Sequence, residues 1–144
     1  MSKNIKKNVL FLCTGNSCRS QMAEAWTRHF WADIIEAFSA GVEKHGLNSY
    51  AVYVMKESGI DMSGQYSKTI NELPIKDFDL VITVCDNARE KCPLFPGKVK
   101  VIHIGFDDPP YLAQFAKTDE EKLNIYRRVR DEIRDFVKNL TKYL

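Results

Sequence analysis

Residues 8–20 read NVLFLCTGNSCRS, and this stretch decides the fold. The apolar run at residues 9–12 is typical of a buried strand, and a helical pattern follows at residues 21–30. Gly15 and Asn16, in the turn between them, are residue types that tolerate a positive φ angle. The predicted order of strand, turn and helix places the turn at the positively polarised N-terminus of a helix, which favours an anion.

The turn carries a thiol at one end and a guanidinium at the other. Arg19 can grip two oxygens of a tetrahedral oxyanion, such as phosphate or arsenate, while Cys13 faces its central atom. Positive surroundings of this kind lower the pKa of a cysteine from about 8.5 toward 4 to 7, so we expect Cys13 to be a thiolate nucleophile. The alternative, a buried cysteine at a strand end, is disfavoured by the surrounding pattern. The loop residues expected to bind the anion are Thr14, Gly15, Asn16, Ser17, Cys18 and Arg19.

Two residues of the loop have alternative interpretations. Ser20 is placed to donate a hydrogen bond to the Cys13 sulfur, or it satisfies backbone groups at the start of the helix. Cys18 could form a disulfide with Cys13, but we expect it to be a small residue packed beneath the loop.

The composition indicates one globular domain over residues 1–144. The formal net charge is +2, which gives no electrostatic reason to expect a nucleic acid or a membrane as partner. The apolar stretch before Cys13 is too short for an export signal, and no stretch is long enough to span a membrane. We therefore expect a cytoplasmic monomer whose four cysteines are thiols at rest.

The pattern of strands and helices predicts the fold class. Helical patterns lie between and after the predicted strands, and this alternation is typical of the α/β class, with a four-stranded parallel sheet and helices on both faces. Ligand sites of such sheets lie at the carboxyl ends of the strands, where Cys13 and Cys85 both fall. The predicted strands, rich in β-branched and aromatic residues, are residues 8–12, 34–39, 80–84 and 99–104.

Three helices are predicted from apolar residues at helical spacing. The first covers residues 21–30, and the second lies around residues 51–55, with a possible cap at Asn48 and a stop at Gly59. The third begins with a capping box at residues 118–121 and should reach almost to the C-terminus. Its apolar stripe consists of Tyr126, Val129, Ile133, Phe136, Val137 and Leu140.

Cys85 and Cys92 are separated by six residues, and Pro93 follows them. A zinc site is disfavoured because there is no second close cysteine pair, and a structural disulfide is disfavoured in the cytoplasm. A helix at residues 86–91 would hold the thiols about 10 Å apart, which is beyond the roughly 7 Å that a disulfide allows between Cα atoms. Unwinding of this segment would let them bridge, as in a thiol relay; the alternative is two incidental cysteines on a loop.

An acid that protonates a leaving oxygen is expected near the loop. Asp107 and Asp108 follow the fourth predicted strand, and although aspartates beside prolines are often turn formers, this position favours a catalytic role. We favour Asp108 because the proline after it fixes its backbone. His29, His45 and His103 show no spacing to a nucleophile or a metal site, and we expect them to be structural or solvated.

Taken together, these features resemble the low-molecular-weight protein tyrosine phosphatase family across essentially the whole chain. The residues that carry the resemblance are the loop at residues 13–20, the late Asp108-Pro109 pair and the strand pattern between them. Cys85 and the Cys92-Pro93 pair additionally resemble the redox cysteines of the thioredoxin-coupled arsenate reductases built on that fold.

The resemblance implies a mechanism for the reduction of arsenate to arsenite. Cys13 attacks arsenic while Arg19 and the loop amides hold the oxygens, and Asp108 protonates the departing hydroxyl. Cys85 then attacks the Cys13 sulfur, arsenite leaves, and Cys92 attacks Cys85. Thioredoxin reduces the final disulfide, so neither a metal nor an organic cofactor is required.

Some members of the family bind potassium beside the loop. The corresponding residues are Asn16, Glu24 and Ser39, together with an acidic residue near Ser67, but this chain has Lys68 there. The ammonium of Lys68 could take the position of the cation and pair with Glu24. We therefore expect weak or no dependence on potassium.

Two other functions compete with this interpretation. A tyrosine phosphatase would use Cys13, Arg19 and Asp108 alone, and weak phosphatase activity is expected in any case because phosphate and arsenate have the same shape. A redox or oxyanion sensor would bind a partner through aromatic residues, but an aromatic content of 11% is compatible with ordinary core packing.

Overall fold

Four parallel strands form one sheet in the computed structural model, which describes residues 5–90, 92, 95, 97 and 99–144, and at position 87 the backbone only. The strands are adjacent in the order β2-β1-β3-β4, so the predicted four-stranded parallel sheet is confirmed. Their bounds differ from the predicted ones by one or two residues. The strands are β1 (Lys7–Cys13), β2 (Ile35–Gly41), β3 (Leu80–Thr83) and β4 (Lys100–His103).

The two central strands are buried on both sides. Every residue of β3 is buried, as are residues 9–13 of β1. Because successive side chains of a strand point to opposite faces, the core covers both faces of the sheet. The predicted α/β class is therefore confirmed.

Helices cover this sheet. The first helix packs on β1 and β2 and against the last one, which also contacts the second and fourth helices. Two short 3₁₀ helices lie at Ile70–Glu72, before β3, and at Leu140–Tyr143, after the last α-helix. The helices of the described residues are α1 (Arg19–Trp31), α2 (Ser49–Glu57), α3 (Asp86–Glu90), α4 (Pro109–Ala113) and α5 (Asp119–Lys138).

The predicted helix ends are present. The Asn48 side chain accepts a hydrogen bond from the Ala51 N–H at 2.9 Å, and the Thr118 hydroxyl accepts one from the Glu121 N–H at 3.1 Å. The predicted stripe of α5 faces the core, with Phe136 only half-buried. The helix predicted at residues 86–91 is present as α3, and its last predicted residue, Lys91, lies outside the described residues, as does Pro93.

A helix that spans a membrane must be long and predominantly apolar. Within the described residues, every helix falls short of the length and apolar character that a membrane-spanning segment needs.

Candidate active site

The loop between β1 and α1 turns its carbonyl groups outward. Four of them accept hydrogen bonds from the backbone of residues 42–48, which run alongside the loop. In a trans peptide the N–H points away from the C=O, so the N–H groups of these peptides turn toward the inside of the loop. This orientation supports the predicted amide-lined anion site. The bonds run from Val42 to Cys13, from Glu43 to Thr14, from His45 to Gly15 and from Asn48 to Ser17, at distances from 2.9 to 3.3 Å.

Gly15 is required for close approach rather than for a positive φ. Asn16 has a positive φ, 49°, whereas Gly15, the other residue type in the turn that tolerates one, is not among the residues with positive φ. A Cβ at Gly15 would collide with Nδ1 of His45. The missing side chain at Gly15 therefore makes room for the His45 imidazole.

The loop encloses a cavity of about 200 Å³. Asn16 and Ser20, both predicted for the site, are buried behind the loop and do not line the cavity. His45 does line it, so the expectation of a purely structural or solvated histidine missed this position; no spacing in the sequence indicated it. The lining residues are Cys13, Thr14, Gly15, Ser17, Cys18, Arg19, His45, Asp108 and Pro110.

The Arg19 guanidinium is held in the wall of this cavity. Nη1 donates a hydrogen bond to the Phe106 carbonyl at 3.1 Å, and Nη2 lies 3.6 Å from the Asp108 carboxylate. The side chain is 9% exposed, and its buried Nε has no hydrogen-bond partner among the described residues. A buried donor without an acceptor is rare in proteins, and an oxyanion in the cavity would supply the acceptor.

Of the two adjacent aspartates, only Asp108 reaches the cavity. Asp107 points elsewhere and forms an ion pair with Arg128 at 3.0 Å. Asp108 precedes Pro109 at the start of α4 and lies beside Arg19. This arrangement supports the choice of Asp108 as the acid.

Cys13, which lines the cavity, is hydrogen-bonded to Cys85, as expected from adjacent strands, but Cys85 itself is not among the lining residues. The hydrogen bond from the Cys13 thiol, followed by those from Thr14 and the Ala88 N–H, lowers the pKa of Cys85 to about 5. The Thr14 hydroxyl lies 3.2 Å from the Cys85 sulfur, and the Ala88 nitrogen lies 3.4 Å from it.

The charge of this pair differs from the prediction. The hydrogen bond to Cys85, together with burial, raises the pKa of Cys13 well above its ordinary value, and Arg19 only partly opposes this. The predicted thiolate charge is therefore shared by the hydrogen-bonded pair, and the contacts of Cys85 with Thr14 and the Ala88 N–H favour the charge on the Cys85 sulfur. The sequence-based expectation considered the effects of the loop amides and Arg19 on the pKa of Cys13. It did not include the Cys85 thiol, whose contact with Cys13 couples the two groups, so that the pair loses its first proton as a unit.

The other two cysteines are also thiols. Cys92 is half-buried, and burial raises its pKa. Cys18 is 3% exposed beneath the loop, as expected, and burial raises its pKa as well. No disulfide joins the four cysteines, all of which are among the described residues.

Ser20 does not have the predicted contact with the nucleophile. Its hydroxyl accepts a hydrogen bond from Asn16 Nδ2 at 2.8 Å. Ser20 and Cys13 both lie within the described ranges, and no hydrogen bond joins them. The prediction differs from the structure because the positive φ of Asn16 turns that side chain behind the loop, where it takes up the serine hydroxyl.

Lys68 contacts residues that the resemblance relates to a potassium site. Its Nζ lies 3.9 Å from Glu24, 3.5 Å from Asn16 Oδ1 and 3.0 Å from the Tyr66 carbonyl. The Ser39 hydroxyl donates to the same Glu24 oxygen at 2.5 Å. Burial lowers the pKa of Lys68, and Glu24 opposes this effect. Among the described residues, no three or more His, Cys, Asp or Glu side chains are grouped to hold a metal ion.

Known proteins are similar to this chain in sequence and in fold. An arsenate reductase from Halalkalibacterium halodurans is 49% identical over 137 residues, which are 95% of this chain and 96% of that protein. A solved arsenate reductase in the phosphate binding state is 32% identical, with a TM-score of 0.71 over 93% of this chain and 95% of that one. The low molecular weight protein tyrosine phosphatase from T. tengcongensis is 29% identical, with a TM-score of 0.75 over 96% of this chain and all 100% of that one.

The sequence profile of one family matches nearly the whole chain, from residue 8 to residue 144. The matched range contains Cys13, Arg19, Cys85, Cys92 and Asp108. With these matches and the confirmed sheet, the chain belongs to the low molecular weight phosphotyrosine protein phosphatase family.

Proposed function

We propose that this protein is an arsenate reductase that uses Cys13, Cys85 and Cys92 as a thiol relay and thioredoxin as final reductant. The observation that carries the proposal is the contact between Cys85 and the Cys13 thiol, which lines the anion cavity. Hydrolysis of a phosphate ester transfers no electrons, so it has no use for a second thiol there. The relatives that are arsenate reductases support the same choice.

The cavity fits arsenate as the substrate. The unpaired Arg19 Nε and the inward N–H groups of the loop are donors for a tetrahedral oxyanion. The positive end of α1 adds to the attraction. All the residues required for this site come from one chain, so the proposal needs only a monomer.

The first step joins sulfur to arsenic. Cys13 attacks arsenic, one As–O bond breaks, and Asp108 gives a proton to the departing hydroxide, which leaves as water. As Cys13 attacks, its proton moves across the hydrogen bond to Cys85 and then passes to solvent. The hydrogen bonds to Thr14 and the Ala88 N–H favour this loss because they stabilise the Cys85 thiolate.

The next steps move two electrons onto arsenic. The Cys85 thiolate attacks the Cys13 sulfur, and the S–As electron pair goes to arsenic, which leaves as arsenite. Cys92 then attacks Cys85, so that Cys13 departs as thiolate and a Cys85–Cys92 disulfide remains. The dithiol of thioredoxin reduces this disulfide, which requires a reducing compartment, and we therefore assign the protein to the cytoplasm.

Formation of the second disulfide requires α3 to unwind. The helix has only five residues, and the Cys85 sulfur accepts a hydrogen bond from its Ala88 N–H. A sulfur in a disulfide has lost the charge that makes this acceptor strong, so the helix loses a cap when Cys85 is oxidised. Unwinding would also bring the Cys85–Cys92 disulfide to the surface, where thioredoxin can reach it.

Steady-state assays with thioredoxin, thioredoxin reductase and NADPH test the relay. We expect arsenate to drive NADPH oxidation with the native protein, and Cys13→Ser, Cys85→Ser and Cys92→Ser each to abolish it. Cys18→Ser is the matched control and should retain activity, because serine keeps the loop backbone and replaces a buried thiol that the relay does not use. Arsenate-dependent turnover that survives Cys92→Ser would contradict the relay.

Potassium should have little effect on this activity. The Lys68 ammonium lies among Asn16, Glu24 and Tyr66, where a cation would otherwise bind. We expect turnover at constant ionic strength to be the same in sodium and potassium salts. A several-fold increase with potassium would contradict this proposal.

A weak phosphatase activity is the second candidate function. Cys13, Arg19 and Asp108 line one cavity, which suits phosphate as well as arsenate. We expect slow hydrolysis of an aryl phosphate that survives Cys92→Ser and is lost with Cys13→Ser. Hydrolysis that continues without Cys13 would contradict this assignment.

A further inference from the structure

A hydroxyl, an imidazole and a carboxylate are linked beside the thiol pair. Thr83 Oγ1 lies 2.9 Å from Nδ1 of His103, and Nε2 of the same ring lies 3.1 Å from the Asp86 carboxylate. Thr83 and His103 are directly paired across β3 and β4. Each ring nitrogen of His103 therefore has a partner. The contacts with Thr83 and Asp86 can both form whether the ring is neutral or protonated.

This chain of contacts fixes the backbone on both sides of Cys85. Thr83 stands two residues before the cysteine and Asp86 directly follows it. His103 thus ties the end of β3 and the beginning of α3 to β4. Cys85 lies between the two ties, with its sulfur against Cys13 and Thr14.

At the start of α3, the Asp86 side chain is held by His103. The Asp86 side chain is 80% exposed, and within the described residues its carboxylate bonds only to His103. A helix of five residues is far too short to be stable alone. An exposed ion pair adds little to global stability, but here it determines where a short segment begins.

We infer that His103 is a positioning residue that holds Cys85 for attack on Cys13, through its contacts with Thr83 and Asp86. This inference rests on the proposed reductase function. The contact with Asp86 must open when α3 unwinds, whereas the contact with Thr83 lies in the sheet and can persist. Loss of His103 should therefore slow the attack by Cys85 without weakening the binding of the oxyanion, whose ligands lie elsewhere.

A single-turnover assay separates these effects. In a Cys92→Ser background, arsenite release requires Cys13 and Cys85 but not α3 unwinding. We expect His103→Ala to slow arsenite release about ten-fold, as for a displaced reacting group, with the affinity for inorganic phosphate unchanged. Asp86→Ala should cause a similar loss, and the double variant should lose little more because both changes break one contact.

Two controls distinguish positioning from a general structural role. His103→Gln can still donate to Asp86 and should recover part of the rate, whereas a fold that depended on the ring itself would not recover. His29→Ala changes a histidine on α1 that contacts only Trp26 and Phe30 among the aromatic rings, and it should leave the rate unchanged. Equal rates for His103→Ala and the parent protein, or a parallel loss of phosphate affinity, would overturn the inference.

A second measurement does not depend on arsenate. The oxidant diamide takes two electrons from two thiols and closes the Cys13–Cys85 disulfide in the Cys92→Ser, Cys18→Ser protein. We expect His103→Ala to slow this closure, and an unchanged rate would overturn the inference. Failure of the parent protein to release arsenite, with closure by diamide still dependent on His103, would instead refute the proposed function alone.

Discussion

The Cys13–Cys85 pair carries one negative charge at neutral pH. With a pKa of about 5 for Cys85, the thiolate is present at pH 7 and is lost as the pH falls through 5. We predict an increase in thiolate ultraviolet absorbance as the pH rises, with a midpoint at about 5. Thr14→Val removes a donor to the sulfur and should raise this midpoint.

Thr27→Val is the matched control for that titration, because the Thr27 hydroxyl donates to a helix carbonyl away from the thiols. Its midpoint should equal that of the native protein. A transition that persists in Cys85→Ser, or whose midpoint is unchanged in Thr14→Val, would show that the negative charge does not reside on the Cys85 sulfur.

The proposed mechanism assigns Asp108 as the proton donor to the leaving oxygen, so its amide variant should bind but react slowly. We predict that Asp108→Asn lowers the rate of arsenite formation by about 10² to 10³, with phosphate affinity nearly unchanged. Asp107→Asn is the control, because Asp107 pairs with Arg128 outside the cavity. Equal rates for the two variants in a rapid-quench assay would remove Asp108 from the mechanism.

Single residues were predictable where the chain itself brings them together. Cys13 and Arg19 lie in one short loop, and Asp108 follows a strand at the same sheet edge, so their meeting follows from spacing and topology. His45 reaches the cavity through the path of residues 42–48, which no local pattern specifies. The Ser20 hydroxyl accepts a hydrogen bond from Asn16 because of the positive φ of Asn16, an angle that this residue type permits but does not require.

The anion loop depends on the gap at Gly15. A Cβ there would collide with the His45 ring, so Gly15→Ala should lower the affinity for phosphate at least ten-fold by displacing the loop or the ring. The three nearest atoms all belong to His45, so His45→Ala should restore much of the affinity in the double variant. Calorimetric titration with phosphate measures both effects.

Gly64→Ala is the matched control for this substitution, because a Cβ at Gly64 would meet nothing within 4 Å. It should bind phosphate like the native protein. A double variant as weak as Gly15→Ala alone would place the conflict in the backbone rather than with His45.

Elements with strong local signals were predicted well. The side-chain caps at Asn48 and Thr118 and the stripe of α5 follow from residue types at fixed spacing, which is why those helices were found. The short α4 was not predicted, because it begins at a pair of prolines that equally favour a turn.

On the scale of the whole molecule, strand order assembles the site. β1, β3 and β4 are adjacent in the sheet; Cys13 ends β1, and the segments after β3 and β4 carry Cys85 and Asp108. The alternation of strands and helices predicted a parallel sheet, and the parallel sheet brings the three carboxyl ends to one edge.

The packing of α5 against the rest of the chain stabilises this assembly. Ile133 is fully buried in the core, so Ile133→Ala should lower the free energy of unfolding by about 2–5 kcal/mol. Ile5→Ala makes the same chemical change at a side chain that is 93% exposed and should have almost no effect. Denaturant unfolding measures both, and similar values for the two variants would contradict the described core.

The most direct test of the relay is to trap its first disulfide. In Cys92→Ser, one equivalent of arsenate should give one arsenite per chain and leave a Cys13–Cys85 disulfide that mass spectrometry of the digested protein identifies. Continued arsenite release, or a stoichiometric burst that leaves Cys85 as a free thiol, would contradict direct attack by Cys85 on Cys13.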